Sequence, residues 1–258
     1  APDDGRKGRV RADSFADHYS QARMFFRSLE APEQAHLASA LVFELSKVET
    51  VKVRERTVSH LRNIDESLAK RVADGLAMPA LPEPAATQTP AQDFPKAPEV
   101  RIIGRTKDLL TGRCIGILFD EGSDAALIAN LRKAADKTGA SVKLVAPKIG
   151  GARLSDGKTL AADGQLAGTP SVVFDAVAVV LSSDAAKKLS KESAAIDFVS
   201  DAWAHLKAIA ADDGAQALLK VARVGNDAGV VEAEDAKAFL AAAATRQWGR
   251  EPKVRTLA

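Results

Sequence analysis

Four short apolar runs constrain this chain more than any other feature. They are CIGILF (114–119), SVKLVA (141–146), AVAVVL (176–181) and AIAA (208–211). Each has strand length, and polar alternation is nearly absent, as expected of strands buried on both faces. Helical patterns separate them. Residues 123–138 are amphipathic, with Ser123 placed to cap the amino terminus. Residues 184–206 read as mostly helical, 213–222 as a further helix, and about 232–245 as the last. Such alternation predicts an α/β domain, a parallel sheet with helices on both sides. Turn signals at Asp156-Gly157 and Asp163-Gly164 place a hairpin excursion within 150–168.

Upstream, the pattern changes. Residues 1–78 read as a small α-helical region. Pro32 suits a first helical turn, where its missing N–H costs nothing. Leu37, Leu41, Leu45 and Val48 recur on one helix face. Val58, Leu61, Leu68 and Val72 form the stripe of a second helix that Gly75 ends. Met24, Phe25, Phe26 and Leu29 cluster more apolar surface than two helices and a tail can enclose, so part of it is expected to pack on another domain. Residues 79–99 are a Pro-rich linker carrying Pro79, Pro82, Pro84, Pro90, Pro95 and Pro98, six of the chain's 11 prolines. That density favours an extended path, either an arm lying on a surface or a tether. The third zone spans 100–258.

Composition sets outer limits. With 46% hydrophobic and 27% charged residues, the chain is ordinary for a globular protein. The formal net charge of +2 gives no reason to expect nucleic acid or an anionic membrane as partner. The basic opening GRKGRVR (5–11) reads as a solvated or docking tail. The single cysteine, Cys114, excludes an internal disulfide and fits a reducing, cytoplasmic setting. There is no run of 18 apolar residues and no secretory signal pattern. The opening APDDGRKGRV reads as the middle of a longer chain.

Candidate chemistry is sparse. Cys114 begins an apolar strand, where a structural thiol is expected rather than an activated one. No G-x-S-x-G elbow is present. His18, His36, His60 and His205 are scattered without metal-ligand spacing. Gly150-Gly151 lacks the surrounding pattern of a phosphate loop. Asp120, Glu121 and Asp124 follow the first strand, and Asp212-Asp213 follow the fourth, where α/β sheets usually build sites. With no cationic or metal partner nearby in sequence, helix capping and solvation are the expected roles. No residue is assigned a catalytic, cofactor-binding or metal role.

Two separated regions carry a family resemblance. DHYSQARMFFRSL (17–29) and ALVFELSKVETVKVRERTVSHLRNIDESLAKRVADGLAMP (40–79) resemble the carboxyl-terminal helical region of haem catalases. FVSDAWAHLKAIAADDGAQALLK (198–220) and FLAAAATRQWGREPKVRTLA (239–258) resemble the flavodoxin-like domain that large-subunit catalases add after it. That domain is in turn similar to the class I glutamine amidotransferase-like superfamily. Active members of the superfamily carry a cysteine at a strand-to-helix elbow and a later histidine. The matching elbow here is Ala210–Gly214, read AADDG, and no histidine follows His205. The resemblance therefore implies a disabled elbow.

The same resemblance implies a parent enzyme that converts hydrogen peroxide to water and oxygen, as a haem-containing homotetramer acting against oxidative stress. Haem belongs to the parent only. The sole tyrosine, Tyr19, lacks the proximal R-x-F-x-Y context, and no haem motif occurs. The leading expectation is a structural role in stability, assembly and haem-channel access, with the rest of the subunit and neighbouring subunits as partners. One alternative is a chaperone-like holdase for unfolded client proteins. Another is a residual hydrolase or small-ligand site using Asp120, Glu121 or Asp212.

Overall fold

The computed structural model describes residues 8–105 and 107–255. The chain divides into two compact units, the second spanning Lys107–Arg255. Of the basic opening, residues 5–7 lie outside the described residues, while residues 8–11 are exposed. Thr256–Ala258, the end of the last resembling segment, also lie outside.

In the first unit, four helices pack around one cluster. They are α1 (Ser20–Ser28), α2 (Ala31–Ser46), α3 (Val51–Ile64) and α4 (Glu66–Gly75). Pro32 sits in the first turn of α2, behind a capping box between Glu30 and Glu33. Phe26, Ala38, Leu45, Val58, Leu61, Leu68 and Val72 form the buried core, with Leu37 and Leu41 half-buried against it. Full burial of each large apolar side chain contributes about 1.5–3 kcal/mol. The expected single helix over Val58–Val72 is two helices. Asp65 breaks it by adopting an extended backbone and accepting the N–H of Ser67 as the cap of α4. Gly75 ends α4 without a left-handed backbone. Its missing side chain instead makes room for Val42 of α2, whose Cγ2 would lie 2.6 Å from an added Cβ.

The Pro-rich segment lies on these helices as an arm. Ser59 Oγ donates to Glu83 O, and Ala85 N–H returns a bond to Ser59 O. The buried Ser20 and Ser28 hydroxyls accept the N–H groups of Gln92 and Ala97. Asp93 bridges Arg23 and Arg27. Those guanidinium groups hold its carboxyl below the usual range. Arg101 then pairs with Glu30. Lacking a ladder of its own, the arm satisfies its backbone on helix side chains.

The second unit is a parallel six-stranded sheet in the order β5-β2-β1-β6-β7-β8. Its strands are β1 (Cys114–Phe119), β2 (Ser141–Ala146), β5 (Gly164–Gln165), β6 (Ala176–Val180), β7 (Ile209–Ala211) and β8 (Val230–Glu232). Without the short edge strand β5, this is the flavodoxin-like winding. A separate two-stranded hairpin, β3 (Ala152–Arg153) and β4 (Thr159–Leu160), supplies the excursion, its turn at Asp156-Gly157. The other turn signal, Asp163-Gly164, leads into β5 of the main sheet.

Helices cover both faces. Ile115, Ile117 and Phe119 of β1 pack with α5 (Ala125–Asp136) and α9 (Ala236–Ala243). Leu118, Val177 and Val179 pack on the other face with α6 (Ser183–Leu189), α7 (Ser193–Ala204) and α8 (Gln216–Val221). A last short helix, α10, spans Glu251–Val254.

Two local expectations need correction. Asp124 caps α5 by accepting the Leu127 N–H, whereas Ser123 is wholly buried and bonded to Val180 O. Residues 184–206 are mostly helical as expected, in two pieces, α6 and α7. Val230–Glu232 is an edge strand, so the last long helix begins only at Ala236 behind its cap Asp235.

Gly116 leaves a notch on β1 that the Phe174 ring fills, with Cδ2 only 2.5 Å from where a Cβ would stand. Gly116→Ala is expected to lower stability by about 1–3 kcal/mol through overpacking. Adding Phe174→Leu to that variant should recover part of the loss. A denaturant melt of both variants checks this, and an unchanged midpoint for Gly116→Ala would contradict the tight notch.

Candidate functional site

Open α/β sheets bind ligands beyond the carboxyl ends of their strands, where the winding reverses. Here that place lies between β1 and β6. The sequence supplies Asp120, Glu121, Ser123 and Ser182 to it, with the elbow Ala210–Gly214 one strand further on.

Asp120 is buried and paired with Lys188 of α6 at 3.2 Å. The expectation of a solvated or capping Asp120 is therefore corrected, because the fold brings in a cation 68 residues away. Its N–H donates to Ser123 Oγ, which donates onward to Val180 O at 2.7 Å. Glu121 takes the Arg153 N–H on its carboxylate and the Ser182 hydroxyl on its main-chain carbonyl. The hairpin closes over this loop. Gly122 N–H donates to Arg153 O, Ser155 N–H to Ser123 O, and Ala125 N–H to Ser155 Oγ. Gly151 serves the same hairpin. Its φ is +78°, and an added Cβ would meet Leu160 O at 1.6 Å, so Gly151 is a packing requirement, whereas Gly150 has open space around it.

At the elbow, β7 ends at Ala211 and a single 3-10 turn, Asp213–Ala215, leads into α8. The Asp212 carboxylate accepts the Leu181 N–H at 3.0 Å and the Ala215 N–H at 3.0 Å. Gly214 has the Leu181 carbonyl against it, 1.8 Å from a hypothetical Cβ. Asp213 is exposed in the turn. The position that would present a nucleophile thus holds a carboxylate committed to main-chain donors. Burial pushes the Asp212 carboxyl up to about 6, assisted by Glu234 and opposed by its N–H donors.

The helices that begin at this edge carry side-chain caps of their own: Asp124 and Ser155 on α5, Ser182 on α6, Asp235 on α9, and Asp212 on the turn into α8. Each cap takes at least one leading N–H group of its helix or turn. A cavity of about 380 Å³ lies beside the elbow, lined by Gln216, Lys220, Asn226 and Glu232 among others. Lys220 and Glu232 are both exposed there.

The remaining candidates do not converge. Cys114 is partly buried, with its N–H on the Asp175 carboxylate at 2.9 Å. His18 and His60 are exposed near Tyr19, whose hydroxyl bonds His60 Nδ1 at 2.8 Å. His36 lies on α2, and His205 follows α7. Among the described residues, no group of three or more His, Cys, Asp or Glu side chains could hold a metal, and no helix is long and apolar enough to cross a membrane. Sequence reasoning missed Lys207 and Arg250, two buried cations at the opposite end of the sheet. Nothing in their local pattern marks them, since long-range folding buries them.

Fold and site together define a flavodoxin-like domain with a nucleophile-free elbow and a self-capped carboxyl edge, accompanied by a helical unit that carries its own arm. Residues 111–246 match the family described as "C-terminal domain found in long catalases", and residues 12–76 match "Catalase-related immune-responsive". The chain is 47% identical to Catalase C of Rhizobium meliloti over 258 residues, covering 97% of this chain and 37% of that protein. It is 38% identical to Catalase HPII of Pseudomonas aeruginosa, covering 89% of this chain and 32% of that one. Catalase-B of Dictyostelium discoideum is 33% identical over 97% of this chain and 37% of its own length. The chain belongs to the family of carboxyl-terminal regions of long catalases, and it spans about a third of the length of these curated relatives.

Asp212 gives the elbow a pH signature. A carboxyl raised from 3.8 to about 6 in the fold stabilises the fold below pH 4 and loses that contribution as pH rises through 6. The loss amounts to at most about 3 kcal/mol. Asp212→Asn keeps an acceptor and should flatten this part of the stability profile between pH 4 and 6.5. An unchanged slope in chemical denaturation would contradict the assignment.

Proposed function

We propose that this chain is the non-catalytic carboxyl-terminal part of a long-catalase subunit, and that it stabilises the subunit, supports assembly and shapes access to the haem channel. In this reading the whole protein converts hydrogen peroxide to water and oxygen in the cytoplasm, as a haem-containing homotetramer.

The observation that carries the reading is that Asp120, Ser123, Asp124, Ser182 and Asp212 at the carboxyl edge are engaged by the protein itself. Where related folds build sites, this domain uses its hydroxyls and most of its carboxylates on its own backbone, and Asp120 on Lys188. The residues present also do not fit a haem site. The only tyrosine, Tyr19, is 7% exposed, with its hydroxyl bonded to His60. The Cys114 backbone is bonded to Asp175 at both its N–H and its carbonyl. Three surface cavities of the second unit have no histidine, tyrosine or cysteine in their walls. No step of peroxide chemistry is therefore assigned to these residues.

Support for docking comes from the first unit. Phe15, Phe43 and Ile102 are each more than 60% exposed, and Phe25 is 42% exposed. Exposed aromatic and aliphatic side chains on a small helical unit support docking, and the remainder of the subunit is the proposed partner.

Removing residues 107–255 from the full-length subunit is the direct test. Turnover per haem should persist, while the midpoint of thermal inactivation should fall by several degrees and tetramer yield should drop. Loss of turnover per haem with unchanged heat resistance and assembly would overturn the structural role.

A further inference from the structure

The sheet of the second unit has β2 exposed beyond the short strand β5 at one side and β8 at the other. In a strand, alternate residues turn both their N–H and their carbonyl to the same side. On β8, Gly229 O accepts from Ile209 and Ala233 N–H donates to Ala211 O, so Val230 and Glu232 face outward. The chain covers half of what they present: Val230 N–H donates to Asp227 O, and Glu232 O accepts from Asp235. On β2, Ser141 N–H donates inward to Arg113 O, so Val142 and Leu144 face outward. Asp163 finishes Leu144, giving its N–H to the Leu144 carbonyl and taking the Leu144 N–H on its carboxylate at 2.8 Å. β5 pairs only with Val145 and Ala146. The N–H and carbonyl of Val142 are left without a partner among the described residues.

A trough runs beside this opening. One part, of about 490 Å³, is lined by Arg132, Lys133 and Asp136 of α5 and by Val142. A second part, of about 220 Å³, shares Arg132 with it and has Ile128, Leu154 and Leu160 in its walls. Asp156 and Lys158 in that second wall pair with each other at 3.7 Å. Residues 132–148 carry five cations and one carboxylate, Asp136. Arg132, Lys133 and Lys143 are exposed, and no ion pair occupies them among the described residues. The opening is therefore cationic, with apolar walls at one end of its trough.

We infer that this edge takes an acidic, extended peptide segment as an added strand, with an aliphatic residue opposite Val142 and carboxylates on both sides of it. Antiparallel addition lets that residue exchange both main-chain bonds with Val142. Directly opposed residues share a face, so its side chain turns to the α5 side, where Val142 packs. Its immediate neighbours fall on the other face, opposite Ser141 and Lys143. Residues two positions away return to the side of Arg132 and Lys133. A neutral or basic strand would leave these cations without counter-charge. The segment turns away at Leu144, where Asp163 closes the edge. The acidic β8 of a second copy fits less well. Pairing its free Val230 carbonyl and Glu232 N–H with Val142 would set Ala233 opposite Leu144, the place Asp163 already holds.

The test is fluorescence anisotropy of a fluorescein-labelled peptide, Glu-Glu-Leu-Glu-Glu, titrated with the 258-residue chain. Saturable binding with Kd below about 1 mM is expected, weakening about fivefold or more as salt rises from about 50 to 300 mM. Arg132→Glu combined with Lys133→Glu should weaken it about tenfold or more. Val142→Pro removes a donor that faces away from the sheet, a position an edge strand tolerates, and should weaken binding by about tenfold as well. Should Val142→Pro fail to fold, a probe N-methylated at its leucine reads the other bond on the unaltered chain and should lose affinity to the same extent. No saturable binding, or binding that follows the charge reversal yet ignores Val142→Pro and the N-methyl probe, would overturn the added strand. Salt-dependent self-association of the chain in sedimentation velocity, displaced by the probe, would make a second copy the occupant and overturn the assignment.

Discussion

The Asp212 carboxylate is the contact on which the second unit's character depends. It joins three elements at once, taking main-chain N–H groups from the end of β6 and from the turn into α8 while it terminates β7 itself. Gly214 makes this approach feasible, because any side chain there would strike the Leu181 carbonyl. The elbow is thereby built as a cap. A carboxylate so engaged by main-chain donors lacks the freedom to turn toward a substrate as nucleophile or base.

The rest of the carboxyl edge follows the same rule. Ser123, Ser155 and Ser182 satisfy the donors that an anionic ligand would otherwise meet. The hairpin β3–β4 adds carbonyl and hydroxyl partners from outside the main sheet. The unit is complete by itself, and its ionisable strain sits in β7, with Asp212 past one end and Lys207 before the other. Burial disfavours the charged form of both side chains, so each makes stability depend on pH, over intervals on opposite sides of neutrality.

Much of this was legible in the residues. Apolar runs placed β1, β6 and all of β7, because strands covered on both faces carry no polar alternation, and β2 was read from SVKLVA despite its exposed Ser141 and Lys143. β8 was lost because Val230–Glu232 is a half-exposed edge strand of three residues. Ser123 was misread as a cap because the local pattern cannot distinguish it from Asp124. The split at Asp65 hides within a continuous helical stripe that runs on both sides of it. The absence of an elbow thiol and of a later histidine was plain from sequence. What sequence could not show was the pairing of Asp120 with Lys188, or the burial of Lys207 and Arg250, since each is created by distant segments meeting. The arm's path over α1 and α3 likewise depends on serine and arginine partners far away in the chain.

The central claim is that these residues support a catalase without performing its chemistry. Its most direct test is to titrate the purified 258-residue chain with haemin, following the Soret band and oxygen release from added peroxide. The account predicts no saturable one-to-one complex and no oxygen release above that of free haemin. A stoichiometric complex that evolves oxygen through repeated peroxide additions would contradict it.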